Sequence, residues 1–191
     1  MPKDSIFIFM VDQSGSTVMP LPEGSGRKRS DVFAGHVNCS LREVSQAVGG
    51  RFASITYGAS VEATKLVGNE GTLQIEVMSA HGGGTPMSTA FRLAFQTCAA
   101  TDSSNIHILN SADGCPTDCG LPHWLAGLES LNGPNRRVKV SSLLITDPPT
   151  MDDSQFEIAA ELSSFELAFL ECHVSDFFAR TRRQMITDSL A

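Results

Sequence analysis

The chain has 191 residues and a formal net charge of −7. That length suits one domain with a sizeable core, expected to span residues 1–191, and the acidic balance argues against general binding to nucleic acid or to an anionic membrane. With 41% hydrophobic and 18% charged residues the composition is that of a folded domain, and no apolar run approaches the length that spans a bilayer.

The first element is the apolar run Ile6-Phe7-Ile8-Phe9-Met10-Val11, which reads as a buried parallel strand. It is followed by Asp12-Gln13-Ser14-Gly15-Ser16, where one carboxylate and two hydroxyls at alternate positions can face one point because Gly15 lets the backbone turn tightly. An all-oxygen cluster of this kind suits a hard cation, Mg2+ before Ca2+, although an Asp and Ser turn after a strand is also an ordinary structural feature. A Pro- and Gly-rich loop comes next and ends in the basic triplet Arg27-Lys28-Arg29, which could contact an acidic partner but reads first as a solvated loop tip. Ser30 or Asp31 is placed to cap a helix whose buried face is Phe33, Val37, Leu41, Val44 and Val48, ended by Gly49-Gly50.

Strands are predicted over residues 51–58 and 61–67. The connection Gly58-Ala59-Ser60 is too short for a crossover helix, so this pair is expected to be antiparallel. Leu73, Ile75 and Val77 alternate with polar residues, as either a strand or an extended approach to Gly82-Gly83-Gly84. Thr85 then stands at the start of a helix predicted over 86–99, whose stripe of Met87, Ala90, Phe91, Ala94, Phe95 and Cys98 belongs to the core. A second apolar run, Ile106-His107-Ile108-Leu109-Asn110, leads into Ser111-Ala112-Asp113-Gly114-Cys115-Pro116-Thr117-Asp118 and sets Asp113 at the end of another strand. Further on come a helix over 121–131, a strand over 138–145, a helix around Phe156 to Leu162 and a last strand over 165–172. A closing helix is capped by Ser175 or Asp176 and carries Arg180, Arg182 and Arg183 as a basic face. Strands alternating with amphipathic helices define an α/β fold, a doubly wound and mostly parallel sheet with one antiparallel edge strand and helices on both faces.

Three separated segments, taken in order, resemble the von Willebrand factor type A domain and its metal-ion-dependent adhesion site. The DxSxS motif falls on Asp12, Ser14 and Ser16, the loop threonine on Thr85 and the later aspartate on Asp113; Ala112 stands where a Thr is usual, and Thr17 where Met often follows. The resemblance implies that these five residues form a site for Mg2+, with Mn2+ or Ca2+ as alternatives. Ser14 and Ser16 would coordinate directly, Thr85 directly or through water, and the two aspartates largely through water or by orienting the hydroxyls. It also implies a protein partner supplying an Asp or Glu to complete the metal shell, and it is similar to intracellular bacterial proteins of the tellurite-resistance and stress type.

An enzyme is the alternative: a Mg2+-dependent phosphoryl transferase or hydrolase with Asp12 as nucleophile. It is the less expected one, because the usual second Asp is Ser14 here, no lysine counterpart is evident and no Walker-type loop is present. His36, His81 and His107 read as structural. The five cysteines, an odd number, make no disulfide framework and point with the absence of a signal-peptide layout to the cytoplasm. Cys115, Cys119 and His123 are not expected to hold zinc, since a fourth ligand is lacking locally and Pro116 and Pro122 interrupt any shared helix.

Overall fold

A computed structural model describes residues 4–21, 26–68, 82–113, 116–145, 165–168 and 171–191. The elements in chain order are β1 (Ser5–Asp12), a 3-10 turn (Gly15–Val18), α1 (Arg29–Val48), β2 (Arg51–Tyr57), β3 (Val61–Ala63), α2 (Met87–Ala99), β4 (Asn105–Ala112), α3 (Leu121–Ser130), β5 (Arg137–Ile145), β6 (Phe165–Ala168) and α4 (Glu171–Leu190). The sheet order is β3-β2-β1-β4-β5-β6, parallel throughout except for β3, which runs antiparallel to β2 at one edge. This is the doubly wound α/β class expected from the alternation of elements.

β1 lies at the centre, paired with β2 on one side and β4 on the other, and all eight of its residues are buried. A strand covered on both faces needs apolar residues at every position, which is why Ile6 to Val11 is unbroken. Its side chains divide by parity. Ile6, Ile8 and Met10 join Phe91 and Ala94 of α2 and Leu121 and Leu128 of α3. Phe7, Phe9 and Val11 join Val37 and Val44 of α1 and Phe177 and Phe178 of α4. Two cores therefore sandwich the sheet, and the strand ends are fixed between two helical layers.

Several local expectations differ from the structure. α1 begins at Arg29, with Lys28 in the capping position and no side-chain cap, rather than at Ser30 or Asp31. The backbone of the preceding segment meets the helix end instead: Arg29 N–H donates to the Met19 carbonyl at 3.0 Å. β6 ends at Ala168 and Cys172 belongs to α4, so Ser175 and Asp176 lie inside the helix instead of capping it. Val174, Phe177, Phe178 and Met185 recur at helical spacing on the core side, and that burial extends the helix toward its N-terminus. β3 stops at Ala63, while Val67 returns to form an isolated bridge with Phe52.

The basic face of the last helix is largely engaged in ion pairs. Arg180 forms a two-pronged bond to Glu166 at 2.6 and 2.9 Å, and Arg182 meets Glu43 at 2.8 Å. His36 stacks on Phe178 and His107 on Phe7, both as packing residues, while His81 and the segments 73–77 and 156–162 fall outside the described residues. His123 packs edge-on against Trp124 and Cys119 is exposed; Cys115 is outside the described residues. Among the described residues, no group of three His, Cys, Asp or Glu could hold a metal, and no helix is long and apolar enough to cross a membrane.

Candidate metal centre

The C-terminal ends of β1 and β4 are adjacent, which brings two residues distant in sequence together. Ser16 donates its hydroxyl proton to Asp113 Oδ1 at 2.7 Å, and the Ser14 and Ser16 hydroxyl oxygens are 3.1 Å apart. Asp12 lies beneath them with no exposed surface. Its Oδ1 accepts Ser14 N–H at 2.8 Å and its Oδ2 accepts Asp113 N–H at 3.4 Å, so the carboxylate ties the two strand ends to each other. Thr85 is 4% exposed, and its loop reaches the same turn through a bond from Gly15 N–H to the Gly83 carbonyl at 3.4 Å. The structure thus joins Asp12, Ser14, Ser16 and Asp113 in one hydrogen-bonded cluster, and sets the backbone of the Thr85 loop against it.

Residues that sequence reasoning gave no role hold this arrangement. Gln13 N–H donates to the Tyr57 carbonyl at 2.7 Å, docking the turn on the end of β2. A Cβ on Gly58 would lie 2.6 Å from the Gln13 carbonyl oxygen, so only glycine permits that approach. On the Thr85 loop, Thr117 N–H donates to the Thr85 carbonyl at 2.9 Å, and a Cβ on Gly84 would collide with the Thr117 side chain. Asp118 caps α2 from another loop, accepting Ser88 N–H at 2.8 Å and Thr89 N–H at 2.7 Å. Its appearance in Pro116-Thr117-Asp118 was the available signal, but nothing local says which helix it would cap.

The main departure is Arg29. Instead of lying in a solvated tip it is 4% exposed, and its Nη1 donates to Asp113 Oδ2 at 3.2 Å while Nε donates to the Pro20 carbonyl at 3.4 Å. Residues 19–21 run antiparallel to 27–29, with Leu21 N–H donating to the Arg27 carbonyl at 3.1 Å, and this ribbon delivers the guanidinium inward.

The electrostatics follow from burial. The Arg29 guanidinium meets Asp113 in a region nearly closed to water, so with both carboxylates ionised one negative charge is in excess. Asp12 is accordingly pushed up from 3.8 to about 7, first by burial and second by the charge of Asp113, with hydrogen bonds from Ser14 pulling the other way. Tyr57, fully buried, is raised well above its usual value, chiefly by burial and then by Asp12 and Asp113; its hydroxyl donates to Asn110 Oδ1 at 2.7 Å. The residues that could hold a divalent cation are Ser14, Ser16 and Thr85, with Asp12 and Asp113 orienting them. The donor set fits: neighbouring ligands of an octahedral ion with Mg2+–O bonds of about 2.1 Å are about 3.0 Å apart, close to the spacing of the two serine oxygens.

No known family model and no curated protein matches the chain at the level of sequence. Solved structures do match in fold. The von Willebrand factor type A protein of Catenulispora acidiphila superposes with a TM-score of 0.63 at 17% identity, over 96% of this chain and 43% of its own. The vWF domain of the type V pili tip protein Mfa5 from Porphyromonas gingivalis gives 0.67 at 8% identity, over 99% of this chain and 97% of that one. The pilus adhesin SpaC from Lactobacillus rhamnosus GG gives 0.71 at 14% identity, over 98% of this chain and 31% of its own. The chain has the von Willebrand factor type A fold, and it spans less than half the length of the SpaC and Catenulispora chains.

Proposed function

We propose that the chain is a metal-dependent protein-binding module, in which a divalent cation on Ser14, Ser16 and Thr85 receives an Asp or Glu side chain from a partner. The observation that carries this reading is the pair of serine hydroxyls, 3.1 Å apart, with Ser16 hydrogen-bonded to Asp113. Both aspartates are already engaged by protein donors, Asp12 by two backbone N–H groups and Asp113 by Ser16 and Arg29. The neutral hydroxyls are therefore the groups best placed to touch a cation. Mg2+, or Mn2+ in its place, is the choice for such an oxygen set, with Ca2+ a weaker fit to so small a cluster. Adding two positive charges to an excess of one negative leaves the site positive by one, and a partner carboxylate neutralises it. The adhesin and pili-tip neighbours share the fold and lend a binding role to the same architecture.

We do not assign a catalytic role. Asp12, the candidate nucleophile, is fully buried with hydrogen bonds on both oxygens, so neither is presented to a phosphoryl group. The proposal keeps the protein in the cytoplasm, where a reducing environment suits the free thiols of Cys39, Cys98, Cys119 and Cys172.

Calorimetric titration with MgCl2 and MnCl2 should show one site per chain, weakened at least tenfold in Ser16→Ala while circular dichroism stays native. Peptide arrays probed with the Mg2+-loaded protein should retain it on acidic peptides and release it with EDTA or when the acids are replaced by amides. Array binding indifferent to EDTA would remove the cation from the mechanism.

A further inference from the structure

We infer that Arg29 is a positioning residue that tunes this site, making it hold its cation loosely and a partner's acid tightly. The inference rests on the proposed metal-dependent binding role. It starts from a geometric fact: the Arg29 side chain is 5% exposed, that of Asp113 is 0% exposed, and the two meet at 3.2 Å.

A guanidinium stays charged at any relevant pH, and an arginine is rarely enclosed unless a specific anion receives it. Here the anion is the carboxylate whose other oxygen accepts the Ser16 hydroxyl at 2.7 Å. Asp113 is gripped from both sides, by Ser16 at Oδ1 and by Arg29 at Oδ2. A carboxylate held this way is kept from swinging forward to bind a cation directly. Arg29 is itself anchored, by its backbone N–H on the Met19 carbonyl at 3.0 Å and by Nε on the Pro20 carbonyl at 3.4 Å. Its position is a property of the paired segments 19–21 and 27–29 and the first turn of α1, within this chain.

Two consequences follow, and they have opposite signs. A fixed positive charge beside the site repels the incoming divalent ion and lowers its affinity. The same charge, with Asp113 withheld from the metal, leaves the loaded site more electrophilic and strengthens its hold on a visiting carboxylate. A residue that served only to pack the loop would move both affinities the same way.

The test compares wild type with Arg29→Gln, Arg29→Met and Arg29→Lys, each checked for folding by thermal melting. Mn2+ affinity is read by electron paramagnetic resonance of the free ion, and acetate affinity of the Mn2+-loaded protein by 13C relaxation. In Arg29→Gln the affinity for Mn2+ should rise at least tenfold and that for acetate should fall at least tenfold, whereas Arg29→Lys, which keeps the charge but loses the Pro20 bond, should shift both less than Arg29→Gln does. Arg29→Met, close in length and apolar, should shift in the same direction as Arg29→Gln and supplies the measurement if the glutamine variant does not fold. Mn2+ binding in wild type that weakens or stays unchanged in both uncharged variants overturns the role of Arg29 and leaves the binding module standing. No Mn2+ binding in any of the proteins overturns both.

Discussion

The two ends of the sheet arrange their polar groups in different ways. At the N-terminal edge most of the groups pair with one another. Asp4 Oδ2 accepts Ser103 Oγ at 2.7 Å and Arg51 Nη2 at 3.1 Å; Asn105 Nδ2 donates to Ser5 Oγ at 3.3 Å; Ser5 Oγ donates to Ser189 Oγ at 3.1 Å; and Lys139 pairs with Asp188. These contacts tie the start of β1 to the end of α4. At the C-terminal edge Arg29 pairs with Asp113, while Asp12 is enclosed beside that second carboxylate and is raised to about 7. One end uses its polar groups to close the structure, and the other keeps a charge imbalance that a proton on Asp12 or a further cation relieves. Perturbed carboxylates of that kind cluster at functional sites.

Acid should act on the two ends with opposite sign. His107, near the N-terminal edge, is lowered from 6.5 to about 4, first by burial, with attraction from Asp188 opposing and Lys139 assisting. The imidazole is neutral at pH 7, so its 3.9 Å contact with Asp188 is not an ion pair there. The unfolded chain protonates near 6.5 and the folded one only near 4, so the stability His107 contributes is complete above 6.5 and is lost as pH falls toward 4. Asp12, whose folded value is raised, works the other way over a similar window, so the effect is best isolated in Asp12→Asn. Urea unfolding of that variant should lose about 3 kcal/mol between pH 7 and pH 4, and His107→Gln in the same background should flatten the profile. A flat profile in Asp12→Asn alone would mean that the N-terminal edge carries no such burden.

A smaller effect tests how the site end is held. Asp118→Ala removes two hydrogen bonds from the first turn of α2 and should cost about 1 kcal/mol in chemical denaturation. It should also weaken Mn2+ binding, because the loop of Asp118 holds that of Thr85. Full stability with full metal affinity would separate the cap from the site. The smallest change is expected away from both ends. Arg180→Ala breaks an exposed pair with Glu166 and should alter stability by less than about 0.5 kcal/mol, within the range of surface ion pairs. A larger loss would show that β6 and α4 depend on it.

Legibility in the sequence followed the range of the interactions. Asp12, Ser14 and Ser16 could be read together because one turn contains all three, and β1 could be read because a doubly covered strand must be apolar throughout. Asp113 and Thr85 entered through the order of three segments, since no local pattern says that β4 lies beside β1. Arg29 was misplaced because Arg27-Lys28-Arg29 has the composition of a solvated tip, and no periodicity distinguishes the inward residue from its neighbours. The cap at Ser30 or Asp31 failed for the same reason: a backbone carbonyl from Met19 met the helix end before a side chain was needed.

By itself, the sequence determined the layered α/β class, the antiparallel edge and the oxygen-rich turn after the first strand. Period, polarity and turn chemistry act over a few residues and are written directly in the chain. Tertiary structure alone decided that Asp113 meets Ser16 across 97 positions, that Asp118 caps a helix 29 to 30 positions away, and that Arg29 is turned inward. Burial and charge pairing depend on which strand ends become neighbours, and that is settled only when both cores close on the sheet.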